Sequence, residues 1–194
     1  MRLLAAFLGL FIVSCALAVF GHRSSGVEAG TAIRMDIPEL AARAELIVEA
    51  RVLSAQALEL PDGRIETEFV LDVKRTFKGV DLPVRAIRLP GGILPDGRGM
   101  LLAGMPGVKP GEDLLLFLTD AGDSGVRMPI GLAQGKFRVV QSATGEKVLV
   151  REQAGLSLVR PGTTEVREAD GVAILPYAEV LAQIEATRAQ GESR

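Results

Sequence analysis

A chain of 194 residues with a formal net charge of −2 has no strong electrostatic field to attract nucleic acid or an anionic surface. Its single cysteine and single histidine, Cys15 and His22, exclude an intrachain disulfide and leave no ligand set for a His/Cys zinc site. They also argue against a nucleophile that needs a histidine base.

The first residues have the order of a secretory signal. Arg2 supplies a positive charge and is followed by an apolar run from Leu3 to Gly21. Ala16 and Ala18 are the small residues that a signal peptidase requires, so we predict a signal peptide of residues 1–18 and cleavage before Val19. The mature protein is then expected to be exported, as a periplasmic or secreted protein.

Two alternative interpretations of this segment remain open. Ile12-Val13-Ser14-Cys15 fits the bacterial lipobox, in which a lipidated Cys15 would become the N-terminus of a structural lipoprotein. The apolar run is also close to the roughly 20 residues that span a bilayer, which would make it an uncleaved anchor. All three interpretations place the rest of the chain outside the cytoplasm.

The chain after the signal divides into a tether and one domain. Residues 19–35 have no periodicity and are predicted to form a flexible tether, and residues 36–194 are predicted to form a single β-rich domain. Asp36 lies three residues before Glu39, which is the spacing of a capping box. This pattern predicts a short helix from Ile37 to about Arg43.

Alternation of apolar and polar residues predicts three strands in the first half of the domain. They are Glu45–Ser54, Arg64–Phe77 and Val84–Leu89, and the middle one has the clearest period of two. Arg75 interrupts the apolar face of that middle strand, which indicates a bulge or the end of the strand.

The second half of the domain predicts three further features. Asp113–Leu118 is continuously apolar, as in a buried central strand. A hairpin is predicted from two further strand patterns, Gly135–Gln141 and Lys147–Arg151. The chain ends in a predicted helix from Pro176 to about Ala189, whose apolar stripe is Val180, Leu181 and Ile184.

The sequence predicts no catalytic residue, no metal site and no cofactor. A hydrolase that uses carboxylates alone is the remaining enzyme class, with Glu66, Glu68 and Asp72 on one strand face as its candidates. Alternating charges on a strand face are more typical of a solvated surface, so we expect that the protein is not an enzyme. Nucleic-acid binding is also not expected, because stacking aromatics are nearly absent around the basic cluster of Lys74, Arg75, Lys78, Arg85 and Arg88.

A long segment from Pro90 to Gly111 is rich in glycine and proline but keeps several apolar residues. Connections of this length inside a compact domain are more often functional or mobile than inert. The segment is therefore the predicted binding loop, and the alternative is a lid that folds back over one end of the β-rich domain. Its apolar residues are Ile93, Leu94, Met100, Leu101, Leu102 and Met105.

Two strand patterns resemble the netrin-like domain, a family that includes the tissue inhibitors of metalloproteinases and exported bacterial relatives. The resemblance covers about residues 40–90 and rests on Ala44-Glu45-Leu46 at the entry of the first long strand and on the turn Phe77-Lys78-Gly79. It implies a five-stranded OB-type barrel with helices packed on it. No cysteine precedes the first strand after the signal, so no inhibitory residue is carried over from the family.

The sequence thus leads to two expectations. The fold is expected to be mainly β with flanking helices: a small OB-like (netrin-like) antiparallel barrel with the C-terminal helix packed on it. The function is expected to be non-enzymatic binding of another envelope or extracellular protein, with membrane attachment only through the signal or a lipid on Cys15.

Overall fold

The computed structural model describes residues 30–192, so the predicted signal peptide, Cys15 and the cleavage site before Val19 lie outside the described residues. This part of the chain contains two helices, twelve strands and one short 3-10 helix. In chain order they are β1 (Gly30–Ile33), α1 (Ile37–Arg43), β2 (Leu46–Glu59), β3 (Ile65–Lys78), β4 (Val84–Pro90), β5 (Gly92–Ile93), β6 (Gly99–Met100), β7 (Asp113–Leu118), the 3-10 helix (Leu132–Gly135), β8 (Lys136–Gln141), β9 (Lys147–Glu152), β10 (Leu156–Val159), β11 (Val166–Glu168), β12 (Val172–Pro176) and α2 (Tyr177–Glu192).

Seven strands form one antiparallel sheet in the order β12-β9-β8-β7-β2-β3-β4. The predicted central position of β7 is confirmed, because it is the middle strand of this order. A second sheet has the order β1-β10-β11, and β5 pairs with β6 in a two-stranded hairpin. Within residues 30–192 the edge strands β12 and β4 do not pair with each other, so the seven strands do not close into a barrel.

The large sheet has an apolar core on each face. On one face α1 and α2 cover Ile47 of β2 and Phe117 of β7, and α2 adds its predicted stripe of Val180, Leu181 and Ile184. The opposite core contains Val48 of β2 and Leu116 of β7. A mainly β fold with a C-terminal helix packed on the sheet is therefore confirmed. The two cores also explain why β7 is apolar at consecutive positions, since both of its faces are buried.

The start of α1 has the predicted capping box. The backbone N–H of Glu39 donates to Asp36 Oδ1 at 2.8 Å, and the N–H of Asp36 donates to Glu39 Oε2 at 3.0 Å. A cap of this kind contributes about 1 kcal/mol, which matters for a helix of only 7 residues. Leu40 then anchors the helix, because its side chain is completely buried in the core under α2.

The long β2–β3 hairpin extends further than the alternation predicted for its first strand. β2 continues to Glu59, because every residue from Ser54 onward is paired with β3. The predicted irregularity at Arg75 is a bulge: Glu49 pairs with Arg75, but Ala50 pairs with Val73. The bulge turns Arg75 out of the core, where its guanidinium binds Glu185 of α2 at 2.5 Å.

The start of the domain differs from the prediction. Residues 30–33, which were assigned to the tether, form β1 in parallel with β10, with Gly30 opposite Leu156 and Ile33 opposite Val159. A four-residue strand whose partner lies far along the chain leaves no local periodicity to detect. The same reason explains why β10, β11 and β12 were not predicted, since they are short and β11 is exposed along its whole length.

Candidate functional site

The predicted binding loop crosses the sheet face that lies opposite the helices. We call residues 91–111 the crossing loop. Met105 and Val108 pack against the apolar core of that face. Next to Met105, the Ala133 N–H donates a hydrogen bond to Gly104 O at 3.0 Å, and Gly30 of β1 lies directly against Ala103. The crossing loop is therefore an integral part of the fold and connects the large sheet to β1.

A hairpin turn gives the first half of the crossing loop a fixed shape. Residues 94–98 have the sequence Leu-Pro-Asp-Gly-Arg, which is identical to residues 60–64 in the turn between β2 and β3. Both copies form the same turn, in which the arginine N–H binds the aspartate at 3.0–3.1 Å and the glycine has a φ of 82–87°. This repeat was missed in the sequence analysis, and it is the signal that would have predicted the β5–β6 hairpin.

Arg98 joins this turn to the end of β2. Its guanidinium makes two hydrogen bonds to the carboxylate of Glu59, at 2.8 and 2.7 Å, and a third to Asp96 at 2.9 Å. These hydrogen bonds with Arg98 hold the pKa of Glu59 below its ordinary value, and those with the N–H and guanidinium of Arg98 do the same for Asp96. At the base of the hairpin, the Thr67 hydroxyl donates to Gly91 O at 2.7 Å.

The six predicted binding residues divide into inner and outer positions. Leu94 is 8% exposed, and Met105 is half-buried against the core. Leu101 is 75% exposed, Ile93 is 64% exposed and Leu102 is 36% exposed. Met100 is half-buried. The crossing loop thus has features of both alternatives, since some of its apolar side chains cover the core while others face outward.

The outer residues border an apolar cavity of about 410 Å³, which we call the loop groove. Its lining contains no titratable side chain. The sheet contributes Ala55, Ala57 and Phe69, and the crossing loop contributes Leu101, Leu102 and Met105. Such a groove suits an apolar side chain of a ligand or partner and offers no group for acid–base chemistry.

One strand edge is open near the loop groove. β7 pairs with β2 only from Leu46 to Arg51, and the backbone of Val52 is bonded to residues 111 and 112. Within the described part of the chain, the ladder of Ser54–Glu59 is with β3 alone. A second strand could therefore add along this edge.

The three candidate carboxylates do not form a common site. Glu66 is only 3% exposed and pairs with Arg88 at 3.3 Å. The prediction that Glu66 lies on a solvated strand face was therefore wrong. Arg88 also donates to Ser124 O at 3.1 Å, because the segment around Ser124 runs beside β4, where Val126 forms an isolated bridge with Arg88. Glu68 is half-buried, and Asp72 binds the neighbouring Lys74. Among residues 30–192, no cluster of three His, Cys, Asp or Glu side chains could hold a metal ion.

A polar cluster under the start of α2 was not predicted. The Tyr177 hydroxyl donates to Glu49 Oε2 at 2.5 Å, and Lys147 Nζ lies 3.4 Å from Glu49 Oε1 and 5.0 Å from the centre of the Tyr177 ring. Burial and the hydrogen bond to Glu49 raise the pKa of Tyr177 to about 12. Glu49 alternates to the polar side of β2, but α2 covers that side, so the cluster attaches the helix to the sheet.

Within residues 30–192, neither helix is long and apolar enough to cross a membrane. No protein-family model matches the chain, and the search of curated proteins found no match.

Proposed function

We propose that this chain is an exported, non-enzymatic binding protein that holds an extended apolar segment of another envelope or extracellular protein in the loop groove. The observation that carries the proposal is the exposure of Leu101 and Ile93, at 75% and 64%, on the rim of an apolar groove. Large apolar side chains that surround a concavity are typical of interaction sites, whereas isolated exposed ones are common on any surface.

The anchoring of the crossing loop supports this proposal. Arg98 fixes one end to Glu59, and Met105 packs on the core at the other end. A groove held in shape before binding requires little ordering when the partner enters, which favours affinity.

The open edge of β2 supports an extended partner rather than a helical one. A strand placed beside Ser54–Glu59 would satisfy its own backbone groups and could direct alternate side chains toward the loop groove. The charged neighbours Arg98, Glu59 and Asp96 already neutralise one another. We therefore expect the partner segment to be apolar rather than charged.

Export and the netrin-like relationship are parts of the same proposal. Residues 40–90 span β2, β3 and β4, which are consecutive neighbours in the large sheet. An OB-type barrel is itself partly open, so an open strand order is compatible with it. The resemblance supports a binding role, and it carries no residue of the metalloproteinase inhibitors to this chain.

Position-specific photocrosslinking tests the binding site. A photoreactive residue is introduced at Leu101, and at Val80 as a control, since Val80 is also 70% exposed but lies in the β3–β4 turn. The protein is crosslinked in the producing cell, and the adducts are identified by mass spectrometry. We expect one partner to crosslink from position 101 and none from position 80.

Binding of that partner is then measured for two matched variants. Leu101→Asp is expected to weaken binding by about tenfold or more, because a charge would enter an apolar contact, whereas Val80→Asp should leave it unchanged. Equal effects of the two variants, or equal crosslinking from both positions, would contradict the proposed site.

Mass spectrometry of the mature N-terminus tests export separately. A chain that starts at Val19 supports a secreted or periplasmic protein, and a diacylated Cys15 supports the lipoprotein alternative. An unprocessed Met1 on a cytoplasmic chain would contradict export.

A further inference from the structure

Another cavity lies where the large sheet meets the β1-β10-β11 sheet, at the other end of the large sheet from β4. It has a volume of about 180 Å³, which is well above the space that one water molecule requires. β1 and β9 lead into it through Arg34 and Arg151, and the β11–β12 connection provides Asp170. We call it the arginine pocket. Its lining shares no residue with the loop groove.

Two side chains that line the arginine pocket each have a buried donor with no hydrogen-bond partner within the described part of the chain. These donors are the Nε–H of Arg151 and the side-chain amide Nε2 of Gln153. Gln153 is only 3% exposed, so solvent does not compensate for the missing bond. Buried donors are almost always satisfied in folded proteins. Because both side chains line the same cavity, their unpaired donors favour an acceptor bound there.

The arginine pocket also has uncompensated positive charge. Among residues 30–192, no carboxylate lies within ion-pair distance of Arg34 or Arg151, and Arg151 stacks 5.5 Å from the centre of the Phe137 ring. Burial, together with the charge of Arg34, lowers the pKa of Arg151. Two guanidinium groups that repel each other next to unused donors favour an anion between them.

We propose that the arginine pocket binds a carboxylate group, held by the guanidinium groups of Arg151 and Arg34 and by the side-chain amide of Gln153. Guanidinium groups match the planar, two-oxygen geometry of a carboxylate. The side-chain amide of Gln153, which is also part of the lining, supplies a further unpaired donor. This site lies outside the loop groove and does not depend on the proposed function.

The charges in the arginine pocket favour a monoanion over a dianion such as sulfate. Four arginines line it against three carboxylates, which leaves one net positive charge. Glu165 is already paired with Arg160 and Arg167, at 3.5 and 2.5 Å. Glu168 and Asp170 remain at the opening and would repel a second negative charge on the ligand.

The test is a titration of the full chain with sodium acetate. Nitrogen-15 NMR monitors the signals of the Gln153 side-chain amide and the Arg151 Nε–H at each acetate concentration. We expect both signals to shift and to saturate with acetate. Acetamide, the neutral analogue of the same shape, should leave them unchanged, and sodium sulfate should bind more weakly than acetate at equal ionic strength. Unsaturable shifts with acetate, or equal shifts with acetamide, would overturn the proposal.

N-acetylglycine distinguishes the two sources of a carboxylate. It carries the terminal carboxylate of a peptide, so tighter binding than acetate would identify a peptide C-terminus as the ligand. Equal or weaker binding would identify a free small carboxylate. Both results support the site, because each requires saturable binding to the same two donors.

Three substitutions complete the test. Arg34 is exposed, so Arg34→Gln is expected to fold normally and to weaken acetate binding by about threefold to tenfold. Arg138→Gln is the matched control: Arg138 pairs with Glu152 and does not line the pocket. Equal weakening by both variants would reveal a general charge effect and overturn the site. Arg151→Gln should abolish saturable binding of acetate. Because Arg151 also contacts the Phe137 ring, this variant can perturb the fold, so the effect of Arg34→Gln is the decisive result.

Discussion

The Tyr177 hydroxyl donates a 2.5 Å hydrogen bond to Glu49, and this bond joins the first residue of α2 to β2 close to the start of that strand. Glu49 is 6% exposed, and its other carboxylate oxygen faces Lys147 at 3.4 Å. A carboxylate buried to this degree needs both partners, because an unpaired charge in the core is strongly unfavourable.

Removal of the Tyr177 hydroxyl should therefore destabilise the fold. We expect Tyr177→Phe to lower the free energy of unfolding by about 1.5–3 kcal/mol, as for the loss of a hydrogen bond to a charged group. Urea denaturation measures this change. Glu49→Gln and the double variant complete a mutant cycle, and effects of the two single changes that simply add would show that the two side chains are not coupled.

The same hydrogen bond predicts a loss of stability at high pH. The pKa of Tyr177 is raised to about 12 in the folded chain, compared with about 10 for an unfolded tyrosine. The folded state therefore holds this proton more tightly, so the stabilisation is complete below pH of about 10 and is lost as the pH rises from about 10 to about 12. Tyr177 is the only tyrosine, so tyrosinate absorbance reports its titration directly. Tyr177→Phe should remove this part of the pH dependence, and an unchanged slope would contradict the assignment.

Local sequence patterns predicted the elements whose signals are contained within a few residues. The capping box gave α1, the period of two gave β3 with its irregularity at Arg75, and the apolar run gave β7. The hairpin of β8 and β9 and the stripe of α2 were also correct. Each of these features depends on neighbours along the chain, which a single sequence contains.

What covers a strand face could not be predicted in the same way. Glu49 and Glu66 both alternate onto the polar side of their strands, yet both are buried, by α2 in one case and beside Arg88 in the other. The arginine pocket has the same origin, since Arg34 and Arg151 meet only after β1 joins β10. Alternation assigns a residue to a face, but long-range packing decides whether that face is solvated.

The repeated pentapeptide permits a matched test of the crossing loop. Arg98 and Arg64 occupy the same position in identical turns, but only Arg98 also binds Glu59. We expect Arg98→Gln to change the free energy of unfolding by less than about 1 kcal/mol, because Arg98 and its partners Glu59 and Asp96 are all exposed. Hydrogen exchange of the Gly97 N–H, which is bonded to Leu94 O, should nevertheless become faster.

Arg64→Gln is the control for this test. Exchange at the corresponding Gly63 N–H should change less than at Gly97, because the turn at residues 60–64 is also held by the long β2–β3 ladder. If the two variants accelerate exchange equally, the contact between Arg98 and Glu59 does not fix the crossing loop. The groove would then not be preorganised, and the proposed mode of binding would lose that support.

The close packing of β1 against the crossing loop predicts a steric effect at Gly30. A Cβ atom at this position would lie 2.4 Å from the backbone oxygen of Ala103, which no side-chain rotation can relieve. We expect Gly30→Ala to lower the free energy of unfolding by about 1–3 kcal/mol, as for overpacking of a tight core. Gly107→Ala is the control, because nothing lies within 4 Å of its added Cβ. It should be neutral or slightly stabilising, by up to about 1 kcal/mol, since alanine reduces the entropy of the unfolded chain. Equal urea midpoints for the two variants would show that β1 does not pack against the crossing loop in solution.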